Sequence, residues 1–91
     1  MSVSDQEVTN FKKALYIDGD ADDTLIADYI GAAKEYVQNA VSTETDVSQR
    51  QQFKFAVQML AQFWYENRGI DMKQTPYQVL SMIQQLRGLT H

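Results

Sequence analysis

The chain has 91 residues, of which 44% are hydrophobic and 22% charged, and its formal net charge is −4. A chain this short has room for one hydrophobic core, so we expect a single domain over residues 1–91. It contains no cysteine, which excludes disulfides and thiolate metal sites. Its Lys and Arg residues are scattered along the chain, whereas nucleic-acid binding depends largely on clustered cations. The composition therefore argues against a dedicated DNA- or RNA-binding role.

Neither a membrane span nor a signal peptide is evident. No stretch approaches the roughly 18 to 20 uninterrupted apolar residues that cross a bilayer. The first five residues lack the basic and apolar regions of a signal peptide. We expect synthesis in the cytoplasm, without secretion and without membrane insertion.

The first helix is marked by its N-terminal residues. Ser4 and Glu7 have the spacing of a capping box, in which each side chain accepts a hydrogen bond from the other residue's backbone N–H. Val3 and Val8 flank this box at the positions of a hydrophobic staple. The pattern predicts a helix that begins just after Ser4.

The second helix is predicted to begin within residues 20–23, where one of three aspartates can cap free N–H groups, and to run to about Val41. Its apolar residues fall on one side, and we assign Tyr36 on that side to the core. Ala27 and Gly31 are four residues apart on the outer side and form a notch that another backbone could approach. Because a mid-helix Gly costs about 1 kcal/mol relative to Ala, either a packing role or a tolerated surface Gly fits.

The third helix is predicted from a cap at Asp46, with Gln49 three residues on, to about Asn67, before Gly69. Its apolar residues span an arc of about 200°, wider than the ~100° that a helix facing one neighbour needs. We therefore expect a long apolar helix at the centre of the bundle. Its assigned core residues are Phe53, Leu60 and Trp64.

Two aromatic residues of this helix project toward its polar side. Phe55 lies among glutamines, so it is either an intersubunit contact or covered by a helix or loop of the same subunit. Tyr65 also points away from the predicted core and is free to contact a partner.

The fourth helix is predicted to open with Thr75–Gln78, a capping box with Pro76 at the first helical position, and to close at Arg87 before Gly88. No segment shows the two-residue alternation of a strand. The expected fold is therefore an all-α, compact bundle of about four helices.

The sequence offers little for catalysis. The one histidine, His91, is the last residue, where chain ends fray, so it cannot be held in a catalytic or metal-binding geometry. No Gly-rich phosphate loop exists, because the four glycines are isolated. We expect no enzyme activity and no cofactor.

The acidic stretch at residues 18–23 resembles the opening of a calcium loop, with Asp18, Asp20 and Asp22 at positions one, three and five. Position six requires Gly but is Asp23, and position twelve requires Glu but is Tyr29. We therefore expect these carboxylates to cap the second helix and predict no metal site, with weak cation binding as the alternative.

The order of these features resembles the bacteriophage head-tail connector proteins that attach to the portal as a ring. The resemblance runs nearly end to end. It comprises the capped first helix, the segment 15–18 with the acidic stretch 20–23, the helix 25–37, and Pro76 with Val79 and Leu86-Arg87. Its most specific part is the run Ala61-Gln62-Phe63-Trp64-Tyr65-Glu66-Asn67-Arg68.

This resemblance implies a structural ring subunit of the virion, at the head-tail junction. Its partners would be further copies of itself, the portal protein, and a tail-completion or stopper protein, with DNA passing through the ring without specific binding. The interface residues that we expect are Phe55, Tyr65, Arg68, Ala27 and Gly31. The alternative is a small helical regulatory or DNA-binding protein, which would need Lys or Arg along one exposed helix face.

Overall fold

The computed structural model describes residues 3–42, 46–68 and 75–89. These residues form α1 (Asp5–Ala14), α2 (Asp23–Val41), α3 (Gln51–Glu66) and α4 (Tyr77–Leu89), and no strand occurs among them. The prediction of an all-α bundle of four helices is confirmed. Within the described ranges, no helix is both long and apolar enough to cross a bilayer.

The four helices enclose one apolar core. α2 is the longest helix, with 19 residues, and it packs against α1, α3 and α4. α3 has 16 residues and lies mainly against α2 and α4. The prediction that α3 is the long central helix is therefore not confirmed, because α2 is longer and packs more extensively against the other helices. The fully buried large side chains are Phe11, Ile26, Ile30, Val37, Val47, Phe53, Val57, Leu60, Val79 and Leu86.

α1 begins as its sequence predicts. The Ser4 hydroxyl accepts a hydrogen bond from the Glu7 backbone N–H at 3.2 Å, and a Glu7 carboxylate oxygen accepts one from the Ser4 N–H at 3.1 Å. This is the complete capping box. Val3 and Val8 are partly buried against the core beside it.

α1 ends in a Schellman motif, with Tyr16 in the position that glycine usually occupies. The Ile17 N–H donates to the Lys12 carbonyl at 2.9 Å, and the Tyr16 N–H donates to the Lys13 carbonyl at 3.4 Å. This pair of bonds requires left-handed backbone angles at the position of Tyr16, and the φ angle of Tyr16 is +56°. The chain thus turns sharply from α1 toward α2 through a non-glycine residue.

The predicted caps of α2 and α3 are wrong. Asp22 occupies the N-cap position of α2, but its side chain makes no capping hydrogen bond. The carboxylate of Asp46 accepts a bond from the Ser48 N–H at 2.9 Å, in a turn that precedes α3. α3 starts only at Gln51, after Arg50, whose side chain does not cap it. The Asp22 carboxylate instead accepts a hydrogen bond from Tyr65, and the Asp46 carboxylate accepts the one from Ser48.

α4 is displaced from its predicted limits by one or two residues. It begins at Tyr77, so Pro76 precedes the helix, and the Pro76 carbonyl accepts the N–H groups of Val79 and Leu80. Gly88 lies inside the helix, so the predicted end at Arg87 is wrong. Such shifts at helix ends leave the buried face of α4 unchanged.

Candidate interaction surface

Charge is unevenly distributed between the two halves of the chain. α4 carries one charged residue, Arg87, and α3 carries two, Lys54 and Glu66. The segment that contains α1 and α2 holds most of the acidic residues. The outer sides of α3 and α4 are therefore formed mainly by uncharged side chains.

Phe55 is the centre of the exposed side of α3. Ten residues separate it from Tyr65, and its side chain points away from the buried side that carries Phe53 and Trp64. It is 56% exposed, so no part of the described chain covers it fully. Its neighbours on the same helix side, three, four or seven residues away, are Gln51, Gln58, Met59 and Gln62.

Two of these glutamines are held in place within the chain. The Gln58 side chain donates to the Glu7 backbone carbonyl of α1 at 3.3 Å, and the Gln62 side chain donates to Gln58 at 3.4 Å. The polar groups around Phe55 are thus partly ordered before any partner arrives. An ordered surface loses less conformational entropy when it binds.

α4 presents a similar surface. Tyr77 is 79% exposed and Leu80 is 42% exposed, although both belong to an ordered helix. The other exposed side chains of this helix before Arg87 are Gln78, Gln84 and Gln85, all uncharged. α3 and α4 pack against each other, and each of them carries exposed apolar side chains.

We call the exposed residues Phe55, Tyr77 and Leu80, with the half-buried Met59 and the glutamines of α3 and α4, the α3–α4 surface. The cores of protein interfaces are depleted in charged residues and enriched in aromatic residues and Met. The aromatic residues and Met59 of this surface fit that composition. The sequence predicted Phe55 but missed Tyr77 and Leu80; the scarcity of charge in α4 was the available signal.

Tyr65 is engaged within its own chain. Its hydroxyl donates a 2.6 Å hydrogen bond to an Asp22 carboxylate oxygen, and its ring meets Phe11 edge-on at 5.4 Å. The Arg68 guanidinium lies 4.4 Å from the ring centroid. The Asp22 carboxylate raises the pKa of Tyr65, because it accepts a hydrogen bond from the protonated hydroxyl. Arg68 only partly offsets this effect. Tyr65 is therefore not the free aromatic residue that the sequence suggested, whereas Arg68 is exposed.

Ala27 and Gly31 lie on a side of α2 that also bonds to α1 of the same chain. Both residues are half-buried and lie on the side of α2 that also carries Asp23 and Lys34. Asp23 accepts a 2.8 Å bond from Lys12 of α1, and Lys34 donates a 2.8 Å bond to Glu7 of α1. These two ion pairs place α1 along this side of α2, and a contact of another subunit with Ala27 and Gly31 stays a prediction.

The residues assigned to the core lie together. Phe53, Leu60 and Trp64 are buried, and the half-buried Tyr36 meets Trp64 edge-on at 6.1 Å. The Tyr36 hydroxyl is 2.9 Å from the Thr75 hydroxyl, which joins α2 to the start of α4. The indole N–H of Trp64 is buried and has no hydrogen-bond partner among the described residues.

The acidic stretch is used for packing and for solvent contact. Asp22 binds Tyr65, Asp23 binds Lys12, and Asp18 and Asp20 are exposed. Within the ranges that the structure describes, no three His, Cys, Asp or Glu side chains converge as a metal site would require.

The fold and the α3–α4 surface define a small all-α protein that exposes aromatic and apolar side chains on two of its helices. The chain matches the family model described as "phage gp6-like head-tail connector protein" over residues 5–87, which includes α1 to α3 and most of α4. It belongs to the phage gp6-like head-tail connector family, and so to the structural connector proteins of the phage virion. Searches of curated proteins and of solved structures returned no match.

Proposed function

We propose that the chain is a subunit of a ring that docks on the phage portal protein and joins it to a tail-completion or stopper protein. The observation that carries this proposal is the α3–α4 surface, with Phe55 56% and Tyr77 79% exposed on a bundle of the connector family. Large aromatic residues on a partly ordered surface commonly supply the buried anchors of protein interfaces.

A ring subunit at this junction also forms part of the conduit for DNA. The formal charge of −4 fits such a conduit, because a channel wall rich in cations would bind phosphates and retain the DNA. DNA therefore passes without specific binding. The subunit is made in the host cytoplasm and functions at the head-tail junction of the virion.

The test is a charged residue in the α3–α4 surface. Phe55→Asp would place an unpaired carboxylate in an interface only when the ring assembles, so the free subunit stays folded. We expect the variant to keep its helical circular dichroism and cooperative melt, and to lose ring formation in native mass spectrometry. It should also fail to join heads that carry the portal.

The matched control is Asn39→Asp, which adds the same charge at an exposed position of α2. This variant should assemble as the wild type does. Normal assembly of Phe55→Asp, or loss of its fold, would remove Phe55 from the interface.

The alternative of a DNA-binding regulator is tested separately. A recognition helix needs several cations on one exposed face, whereas α3 carries one Lys and α4 one Arg. Filter binding at low salt should therefore detect no appreciable retention of duplex DNA. Tight retention would favour the regulator over the connector.

A further inference from the structure

Tyr16 is in a conformation that its side chain disfavours. Its φ angle of +56° places it in the left-handed region, where a Cβ atom collides with the backbone. Glycine or asparagine normally fills this position of a Schellman motif. The fold of the turn would therefore be served better by glycine than by tyrosine.

The side chain of Tyr16 does not offset this strain through contacts within the subunit. It is 92% exposed, and it makes no hydrogen bond or ring contact with the described residues. A strained backbone position that carries a large exposed aromatic side chain supports a hypothesis of function. Since neither the turn nor the core requires this ring, we look for its partner outside the subunit.

The surroundings of Tyr16 are acidic. Asp18 and Asp20 follow it in the turn and are both exposed. Lys12 is neutralised by Asp23 at 2.8 Å, and the one exposed cation nearby, Lys13, leaves this corner net negative. We call Tyr16, Asp18 and Asp20 the turn patch.

A surface of opposite charge lies at the start of α3. Two cations precede Phe55 there, Arg50 and Lys54, which are exposed and make no ion pair with a described residue. An apolar ring with two neighbouring cations complements a tyrosine with two neighbouring carboxylates.

One subunit cannot bring these two patches together. The Tyr65–Asp22 bond places the acidic turn beside the last turn of α3, while Phe55 lies ten residues earlier, roughly 15 Å away at 1.5 Å per residue. A contact between the patches therefore joins two copies in a head-to-tail manner. Head-to-tail contacts form a ring when the rotation between neighbouring copies closes.

We propose that the turn patch of one copy docks on α3 of the next, with Tyr16 against Phe55 and with Asp18 and Asp20 facing Arg50 and Lys54. This interface rests on the ring proposed above and assigns its two sides. It also gives the side chain of Tyr16 a contact, which it lacks in the isolated subunit.

Cysteine cross-linking tests the contact directly, because the chain has no cysteine of its own. A Tyr16→Cys variant is mixed with a Gln51→Cys variant under mild oxidation, since Gln51 lies one turn before Phe55. We expect a mixed disulfide-linked dimer on a non-reducing gel. The control mixture pairs Tyr16→Cys with Gln84→Cys on α4 and should give little dimer. Equal yields from both mixtures would overturn the proposed contact.

Tyr16→Gly separates assembly from folding. Glycine relieves the left-handed strain, so the melting temperature should stay the same or rise, while the ring observed by native mass spectrometry should be lost. A variant that is more stable and still assembles normally would overturn the role of Tyr16, and the ring itself would stand. A wild-type chain that stays monomeric even with the portal protein would instead overturn the ring and this interface together.

Charge reversal tests the other half of the contact. Asp18→Lys with Asp20→Lys should weaken assembly, and adding Arg50→Glu with Lys54→Glu in the same chain should restore it. If the fourfold variant assembles no better than the double variant, these charges do not face each other.

Discussion

The hydroxyl of Tyr65 donates a 2.6 Å hydrogen bond to the carboxylate of Asp22, 43 residues away in the chain. The bond ties the last turn of α3 to the residue that precedes α2. Bonds of this kind, to an ionised acceptor, are shorter and stronger than bonds between neutral groups. It also explains why Asp22 does not cap α2, since its carboxylate is turned toward α3.

Removal of this bond should destabilise the bundle modestly. Tyr65→Phe keeps the ring contacts with Phe11 and Tyr29 and loses only the hydroxyl, so we expect a loss of about 1–2 kcal/mol in the free energy of unfolding. Asp20→Asn is the control, because Asp20 is exposed and should cost less than about 0.5 kcal/mol. Urea denaturation measures both, and equal stabilities for the two variants would contradict the role of the bond.

The same bond predicts a difference at alkaline pH. The hydrogen bond to the Asp22 carboxylate raises the pKa of Tyr65 in the folded state. Its contribution to stability is therefore complete below the unfolded value of about 10 and is lost as the pH rises through the folded value. The stability advantage of the wild type over Tyr65→Phe should shrink above about pH 10. Thermal melts of both proteins from pH 7 to 11 test this, and a constant difference would oppose it.

Glu7 contacts Ser4 before α1, Lys34 of α2 and Gln58 of α3. Its contribution to stability should depend on pH in the opposite sense to that of Tyr65. Partial burial opposes ionisation of its carboxylate, but the bonds from Lys34 and Ser4 outweigh this and hold the pKa of Glu7 below its usual value. The stability that it supplies is present above the unfolded pKa of about 4.3 and is lost as the pH falls through the folded value. Wild-type stability should therefore fall more steeply than that of Glu7→Gln between about pH 5 and 3.

Two substitutions separate the contributions of Glu7 at neutral pH. Glu7→Gln can still complete the capping box and loses only the ion pair with Lys34, which is partly exposed, so we expect a cost below about 1 kcal/mol. Glu7→Ala also loses the side-chain half of the box and should cost about 1–2 kcal/mol. If the two variants are equally stable, Glu7 does not act in the cap.

Trp64 should be the most sensitive core position. Its side chain is 4% exposed, so Trp64→Ala should cost about 3–5 kcal/mol or prevent folding. Trp64→Phe should cost only about 1–2 kcal/mol, because it keeps much of the ring and removes a buried N–H that has no described partner. A Phe variant as unstable as the Ala variant would indicate that the indole N–H is satisfied.

Local rules were sufficient for the parts of this fold that depend on local contacts. The capping box of Ser4 and Glu7 involves residues three apart, and Phe55 opposite the core follows from helical spacing alone. The Tyr65–Asp22 and Lys34–Glu7 bonds join residues 43 and 27 apart, and no spacing in the sequence indicates them. The bond from Tyr65 redirected the Asp22 carboxylate, which the local pattern assigned to the cap of α2.

Other parts of the candidate surface depended on backbone angles and packing directions. The left-handed turn at Tyr16 could not be predicted, because the usual glycine or asparagine signal is absent from the sequence. The exposure of Tyr77 and Leu80 depends on how α4 is rotated against α3. Apolar spacing alone did not determine that rotation.

α1 is attached to the bundle by fewer buried side chains than the other helices, so it can open locally while they stay folded. Phe11 is its one fully buried residue, and two partly buried ion pairs, Glu7–Lys34 and Lys12–Asp23, fasten it to α2. Backbone amides of such a segment exchange with solvent through local opening, so those of α1 should exchange faster than those of α2 and α3. Because the Tyr16 turn ends α1, a neighbour that binds this turn would suppress the opening, and assembly would be recorded as slowed deuterium uptake across α1.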